Sequence, residues 1–127
     1  MIFTYQTKLH KIGTRGNCLA ACLSSITEIP IEKIPKLEDI NGDWAEEMIG
    51  WLWDNGFEFE SYNDEDQIIK ESNNDYYIVG GTSPRNKNIN HSVIYKNKNL
   101  IHDPHPDNKG IINEPKYLWY IKKINHE

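Results

Sequence analysis

The spacing of apolar residues in the first half of the chain is helical. Apolar positions recur on one face over residues 18–27, and Asn17 directly before them is a good N-cap. A second stripe predicts a helix that Asp43 caps and Gly56 ends. Its apolar positions are Trp44, Met48, Trp51 and Leu52. Between the two helices, prolines predict a loop around one short helical turn at residues 31–34.

The second half of the chain changes to short runs typical of strands. Residues 57–62 alternate strictly, as a half-buried strand does, and residues 63–67 read as a solvated turn. Further β runs lie at 76–81, 91–96, 99–103 and 117–124, and residues 2–9 have the composition of an opening strand. Helices followed by strands predict an α+β fold, with the helices packed on one side of an antiparallel sheet.

Length and composition favour one globular domain over residues 1–127. The chain has 127 residues with four Trp, seven Tyr and three Phe, enough for a core. No apolar run approaches the length of a membrane span, and the first residues lack the pattern of a signal peptide. We therefore expect no membrane association and a cytoplasmic location.

The charge of the chain is negative but unevenly distributed. The net charge is −5, with 6 basic and 15 acidic side chains in residues 1–84 and 8 and 4 in residues 85–127. This balance disfavours nucleic acid as a partner, because phosphate contacts need a concentrated basic patch. The asymmetry fits two halves of one domain that attract each other, or a basic surface that meets an acidic partner.

Cys18 is the first candidate for chemistry, because it begins the predicted helix at 18–27. The partial positive charge at a helix N-terminus favours a thiolate, and free N–H groups beside Gly16 and Asn17 could stabilise an oxyanion. Cys22, one turn deeper, is expected to be structural. By itself, Cys18 is better explained as a small buried apolar residue.

The segment "HSVIYKNKNLIHDPHP" strengthens the catalytic interpretation, because its two β runs predict a hairpin. A turn at residues 96–98 would set Tyr95 opposite Asn99 and His91 opposite Asp103. The carboxylate would then hold the imidazole, as the orienting group of a catalytic base does. A two-residue turn would send the two side chains to opposite faces. The pairing therefore requires an odd-length turn or a bulge.

Three motifs, "NCLAACLSSI", "HSVIY" and "LIHDP", are similar to the Cys, His and Asp motifs of papain-like cysteine peptidases, most of all the C39-like type. The chain also resembles small bacterial and phage proteins of that fold through "IPIEKIP", "YYIVGGTSPR" and "HDPHP". The resemblance implies Cys18 as nucleophile, His91 as general base and acid, and Asp103 as the residue that orients it. It implies a peptide or protein substrate, cut at a peptide or isopeptide amide, and no cofactor.

One position departs from the family pattern. These enzymes carry an oxyanion glutamine about six residues before the cysteine, where this chain has Ile12. Gln6 could reach the site if the intervening loop folds back, and Asn17 or the Cys18 N–H are the other candidate donors.

Two residues near the predicted hairpin are candidates for substrate binding. Arg85, in the loop before His91, could bind a carboxylate or a phosphate, although a loop arginine is commonly just solvated. His105, after Asp103, is expected to border the cleft.

Two further hypotheses remain at this stage. One is a zinc site built from two cysteines and three histidines, which the C-x₃-C spacing disfavours. Its residues would be Cys18, Cys22, His91, His102 and His105. We expect no metal, and we expect His102 at the surface or in a loop. The other is a non-catalytic protein of the same fold, of phage or mobile-element origin, that blocks a host factor. The oligomeric state is open.

Overall fold

The computed structural model describes residues 1–11 and 15–124 and has three α-helices and one antiparallel sheet. The helices are α1 (Cys18–Thr27), α2 (Trp44–Asp54) and α3 (Glu65–Glu71), and two 3₁₀ turns cover Ile31–Lys33 and Leu37–Asp39. The strands are β1 (Phe57–Tyr62), β2 (Tyr77–Thr82), β3 (Asn90–Lys96), β4 (Asn99–His102) and β5 (Ile112–Lys123). Their order across the sheet is β1-β5-β2-β3-β4.

This architecture confirms the α+β class and most of the predicted elements. Helix α1 has the predicted bounds, and the Asp43 side chain caps α2 by accepting a hydrogen bond from Glu46 N at 3.0 Å. The apolar stripe of α2 faces the core, where Met48 and Leu52 are fully buried. The short helical turn predicted at 31–34 is the first 3₁₀ turn.

Three predicted elements are wrong or incomplete. Residues 2–9 form no strand, because their backbone bonds to a helix and a loop instead of a ladder: Ile2 N donates to Ser25 O and Gln6 N to Pro104 O. The expected solvated turn at 63–67 begins helix α3, where Asp64 caps Asp66 N at 3.1 Å. Strand β5 starts five residues before the predicted run at 117–124.

Apolar residues cover both faces of the sheet, so the helices do not all pack on one side. Helices α1 and α2 pack on the face that carries Ile78, Ile94 and Trp119. Ile68 of α3 packs among the alternate positions of the same strands, which include Val79 and Val93. Since successive strand residues point to opposite faces, α3 lies on the other side of the sheet.

In the described parts of the chain, none of the helices has both the length and the apolar composition needed to cross a bilayer.

Candidate active site

Cys18 is the first residue of α1, and its half-buried side chain borders two cavities. The N–H groups of a helix's first turn have no partners within the helix, so they create a positive potential there. Helix α1 also packs against β3, the strand that carries His91. The fold therefore brings the thiol of Cys18 to the end of the sheet where the predicted base lies.

His91 is buried, with only 4% of its surface exposed, and bonds to Asp103 at 2.6 Å through Nε2. Nδ1 is the nitrogen left for Cys18, whose thiol lies within hydrogen-bonding reach of the ring. Burial opposes the charged form, but the bonds to Asp103 and Cys18 outweigh it and raise the pKa of His91 to about 9. The imidazolium is thus favoured at neutral pH.

Asp103 is fully buried and accepts three hydrogen bonds. Besides His91, the donors are the backbone N–H groups of His105 at 2.9 Å and Gly110 at 2.8 Å. Burial would raise the pKa of this carboxyl, but the bonds from His91 and the two N–H groups lower it below its usual value. Asp103 therefore remains an anion and holds His91 in one orientation.

The environments of the two cysteines push their thiol pKa values in opposite directions. Burial opposes ionisation of Cys18, but His91 and the bonds from Ser92 outweigh it and lower the pKa of Cys18. Complete burial raises the pKa of Cys22 well above its usual value, and the neighbouring Cys18 adds to this effect. Both are free thiols. Cys18 is suited to be a nucleophile, whereas Cys22 is a core residue.

The hairpin joins His91 to Asp103 by a register different from the predicted one. The turn has two residues, Asn97 and Lys98, both with positive φ, so Lys96 pairs with Asn99. A bulge at Ile101 then shifts the register, and Ile94 pairs with His102. The predicted three-residue turn was wrong. The bulge adds one residue to β4, however, and this places His91 and Asp103 on the same face, as the pairing requires.

The Asn17 side chain does not cap α1, contrary to expectation. Its Oδ1 accepts hydrogen bonds from the N–H groups of Thr7 and Lys8 at 3.0 and 2.9 Å, and its Nδ2 donates to Thr7 Oγ1 at 2.8 Å. The amide expected to assist at the oxyanion is thus engaged elsewhere. Its role is to hold the segment at residues 7–8 against the start of α1.

Gln6 reaches the site because the N-terminal segment folds back. It lines the larger cavity together with Cys18. Its Nε2 donates one hydrogen bond to Lys8 O at 2.9 Å and lies 3.3 Å from where a Cβ on Gly16 would be. Its Oε1 is buried and has no hydrogen-bond partner among residues 1–11 and 15–124. Ile12, which stands at the family's glutamine position, lies outside the described residues.

Arg85 and His105 both line the larger cavity. Arg85 Nη1 pairs with Asp107 Oδ2 at 2.7 Å, and His105 Nδ1 accepts a hydrogen bond from Asp107 N at 3.1 Å. Burial and the charge of Arg85 lower the pKa of His105. The two histidine rings of His91 and His105 are 6.4 Å apart. Asp107 thus contacts both Arg85 and His105 and holds their side chains in place.

Sequence reasoning missed two residues that act on the thiol. Ser92 contacts Cys18, and its Oγ bonds to the hydroxyl of Tyr117 at 2.6 Å. The Tyr117 ring stacks on Trp119 at 4.2 Å and covers Gly80, where a Cβ would lie 1.6 Å from the ring. Ser92 directly follows the proposed base, but Tyr117 reaches the site only through sheet pairing and carries no sequence signal.

His102 is buried, not at the surface as expected. Its Nε2 bonds to Thr4 O at 2.6 Å, and its ring contacts those of Phe3 and Tyr5. It therefore ties the N-terminal segment to β4 and is not among the described lining residues of the two cavities that Cys18 borders. Over residues 1–11 and 15–124, no group of three or more His, Cys, Asp or Glu side chains is arranged to hold a metal ion.

Comparisons of this chain with protein-family models, with curated proteins and with solved structures gave no match.

Proposed function

We propose that this chain is a papain-like thiol hydrolase of the C39-like type, acting on a peptide or isopeptide amide of a protein or peptide substrate. The observation that carries the proposal is the line from Cys18, at the start of a helix, through His91 to the buried Asp103. A small antiparallel sheet with N-terminal helices on one face agrees with the fold that the resemblance implies.

In the proposed reaction, the Cys18 thiolate attacks the carbonyl carbon of the amide. His91, held protonated by Asp103, gives its proton to the leaving nitrogen, so that the C–N bond breaks and a thioester forms. His91 then takes a proton from water, whose oxygen attacks the thioester. Cys18 leaves as the thiolate, and the acid product and the starting form of the enzyme result. The N–H of Cys18 and the side chain of Gln6 are the candidate oxyanion donors.

Alkylation of Cys18 by iodoacetamide, followed against pH, tests this proposal. The wild-type rate should rise with an apparent thiol pKa below the usual value, because His91 stabilises the thiolate. His91→Ala should move the transition up to or beyond the usual value, since burial remains. His102→Ala, which removes a histidine outside the described walls of both cavities, is the matched control and should leave the transition unchanged. A wild-type thiol pKa at the usual value that does not change in His91→Ala would contradict the thiolate–imidazolium pair. Preferential labelling of Cys22 would show that the wrong cysteine was chosen.

The second candidate is a non-catalytic protein of the same fold, from a phage or mobile element, that blocks a host factor. The engagement of the Asn17 amide with Thr7 and of Gln6 Nε2 with Lys8 favours it, because each of these side chains has only one N–H left for an oxyanion. Trapping separates the two candidates. An acyl-enzyme detected on Cys18 by mass spectrometry after incubation with a peptide thioester, and hydrolysed over time, supports the hydrolase.

A further inference from the structure

Two cavities meet at Cys18, and their linings differ in chemistry. The larger measures about 760 Å³ and the smaller about 330 Å³. Arg15, Gly16 and Asn90 border both. A substrate that passes over the thiol would therefore have one part in each cavity.

The smaller cavity is built for an apolar group. Aromatic rings and aliphatic side chains form most of its wall, from Leu19, Leu37, Trp44, Tyr117 and Trp119. Trp119 stacks on Tyr117 and lies 6.0 Å from Trp44, so these rings form a continuous surface. A hydrophobic side chain of the substrate would lose its contact with water there.

The larger cavity is more polar than the smaller one, with cationic and amide side chains beside Leu9 and Ile89. Lys11 and Arg15 contribute positive charge, whereas the charge of Arg85 is already paired with Asp107. The side chains of Asn86 and Asn88 are neutral donors and acceptors. No carboxylate is found among the lining side chains that the structure describes. The whole chain carries a net charge of −5, so this concentration of positive charge is local. A cleft lined by one sign of charge concentrates ligands of the opposite sign.

The position of His91 orients a substrate across the two cavities. His91 lines the larger cavity and is not part of the described wall of the smaller one. Under the proposed mechanism, the general acid must lie beside the nitrogen that leaves. The leaving segment therefore occupies the larger cavity, and the acyl segment occupies the smaller one.

From this arrangement we infer that the site takes peptides with an apolar side chain on the acyl side and a negatively charged group on the leaving side. The inference rests on the proposed function for the direction of the chain, but the charge preference is a binding property that does not need turnover. Carboxylate and phosphorylated side chains share this chemistry, and peptides that carry one or the other distinguish them.

Binding to the Cys18→Ala variant, which prevents cleavage, tests the inference through tryptophan fluorescence, since Trp44 and Trp119 line the smaller cavity. The probes are four capped peptides, Phe-Ala-Ala-X, with X as Glu, phosphoserine, Gln or Lys. We expect the Glu and phosphoserine peptides to bind about three- to tenfold more tightly than the Gln peptide at low salt, and the difference to shrink at about 0.5 M salt. Tighter binding of the phosphoserine peptide alone would assign the site to phosphorylated partners.

Charge reversal supplies the matched controls. Arg15→Glu in the same background should abolish or invert the preference for Glu over Gln, whereas Lys33→Glu, at an exposed position that lines neither cavity, should keep it. Equal affinity for the Glu and Gln peptides, no measurable binding of any peptide, or a preference that survives Arg15→Glu overturns the inference. If the preference is found but Cys18 alkylation shows no perturbed thiol, the binding inference stands and the hydrolase proposal fails.

Discussion

Replacing Asp103 by Asn changes the charge that controls His91 and keeps the size of the side chain. Asp103 is buried beside a buried histidine, and the 2.6 Å bond between them is the strongest cause that raises the pKa of His91. In the variant the charge is gone, but the burial that disfavours the imidazolium remains. The pKa of His91 should therefore fall from about 9 towards its usual 6.5, with Cys18 as the main remaining group that raises it.

The size of this effect follows from the raised pKa. A rise from 6.5 to about 9 corresponds to about 3.5 kcal/mol in favour of the protonated form, at about 1.4 kcal/mol for each pKa unit. Because folding raises this pKa, the corresponding stability is present in full below pH 6.5 and is lost as the pH rises through about 9. Asp103→Asn should thus cost more free energy of unfolding at pH 6 than at pH 9.5. The weakened bonds to the N–H groups of His105 and Gly110 add a loss that does not depend on pH.

The pKa of His91 can be measured by NMR from the Cε1–H signal between about pH 4 and 10.5, a range that covers its usual and its raised value. The chain has five histidines, and the spectrum of His91→Gln assigns the signal. Asp107→Asn is the matched control. It removes the other carboxylate of this loop, which bonds to Arg85 and His105 but not to His91. A wild-type His91 that titrates near 6.5, or a pKa that stays at about 9 in Asp103→Asn, would refute the reasoning.

Two further substitutions test the packing around Ser92 and Tyr117 next to the thiol, and a third is a glycine control in α2. Tyr117→Phe removes the hydroxyl that bonds to Ser92, so alkylation of Cys18 at pH 7 should slow about two- to fivefold while the melting temperature falls by only a few degrees. An unchanged rate would show that this bond does not reach the thiol. Gly80→Ala puts a Cβ 1.6 Å from the Tyr117 ring and should cost about 3 kcal/mol or more, seen as a drop of about 10 °C in the melting curve. Gly50→Ala is its counterpart in α2, where a Cβ meets nothing within 4 Å. It should raise the melting temperature by about 2–4 °C, and a loss there would contradict the description of α2 as a regular, uncrowded helix.

Local signals were sufficient to predict the elements that carry the candidate site. The apolar period and the residue before it gave the bounds of α1, which begins at Cys18. Two β runs around a polar turn gave the hairpin that carries His91 and Asp103. Each of these features depends on residues close together in the chain, and such features are what sequence periodicity reports.

Features that depend on distant contacts or on one turn geometry could not be predicted. The segment "KNKN" fits a two- or a three-residue turn, and only the positive φ of Asn97 and Lys98 decides between them. The residues at 2–9 have a strand's composition, yet Ser25 and Pro104 take their backbone bonds. Asn17 has a side chain typical of an N-cap, but this side chain forms its hydrogen bonds with the segment at Thr7 instead.

Because of the bulge at Ile101, the relative position of His91 and Asp103 depends more on the number of residues in the hairpin than on which residues they are. Ile101 is the extra residue of β4, so its deletion would leave Leu100 and His102 opposite the same residues of β3 and keep Asp103 on the face of His91. One residue inserted into β4 would instead rotate Asp103 to the far face. Length variation is normally tolerated best near hairpin turns, because the ends of the strands can slide. In this chain the hairpin can therefore lose its bulge residue, or gain one residue on each strand beside the turn, and keep His91 next to Asp103, whereas an insertion in one strand alone separates them.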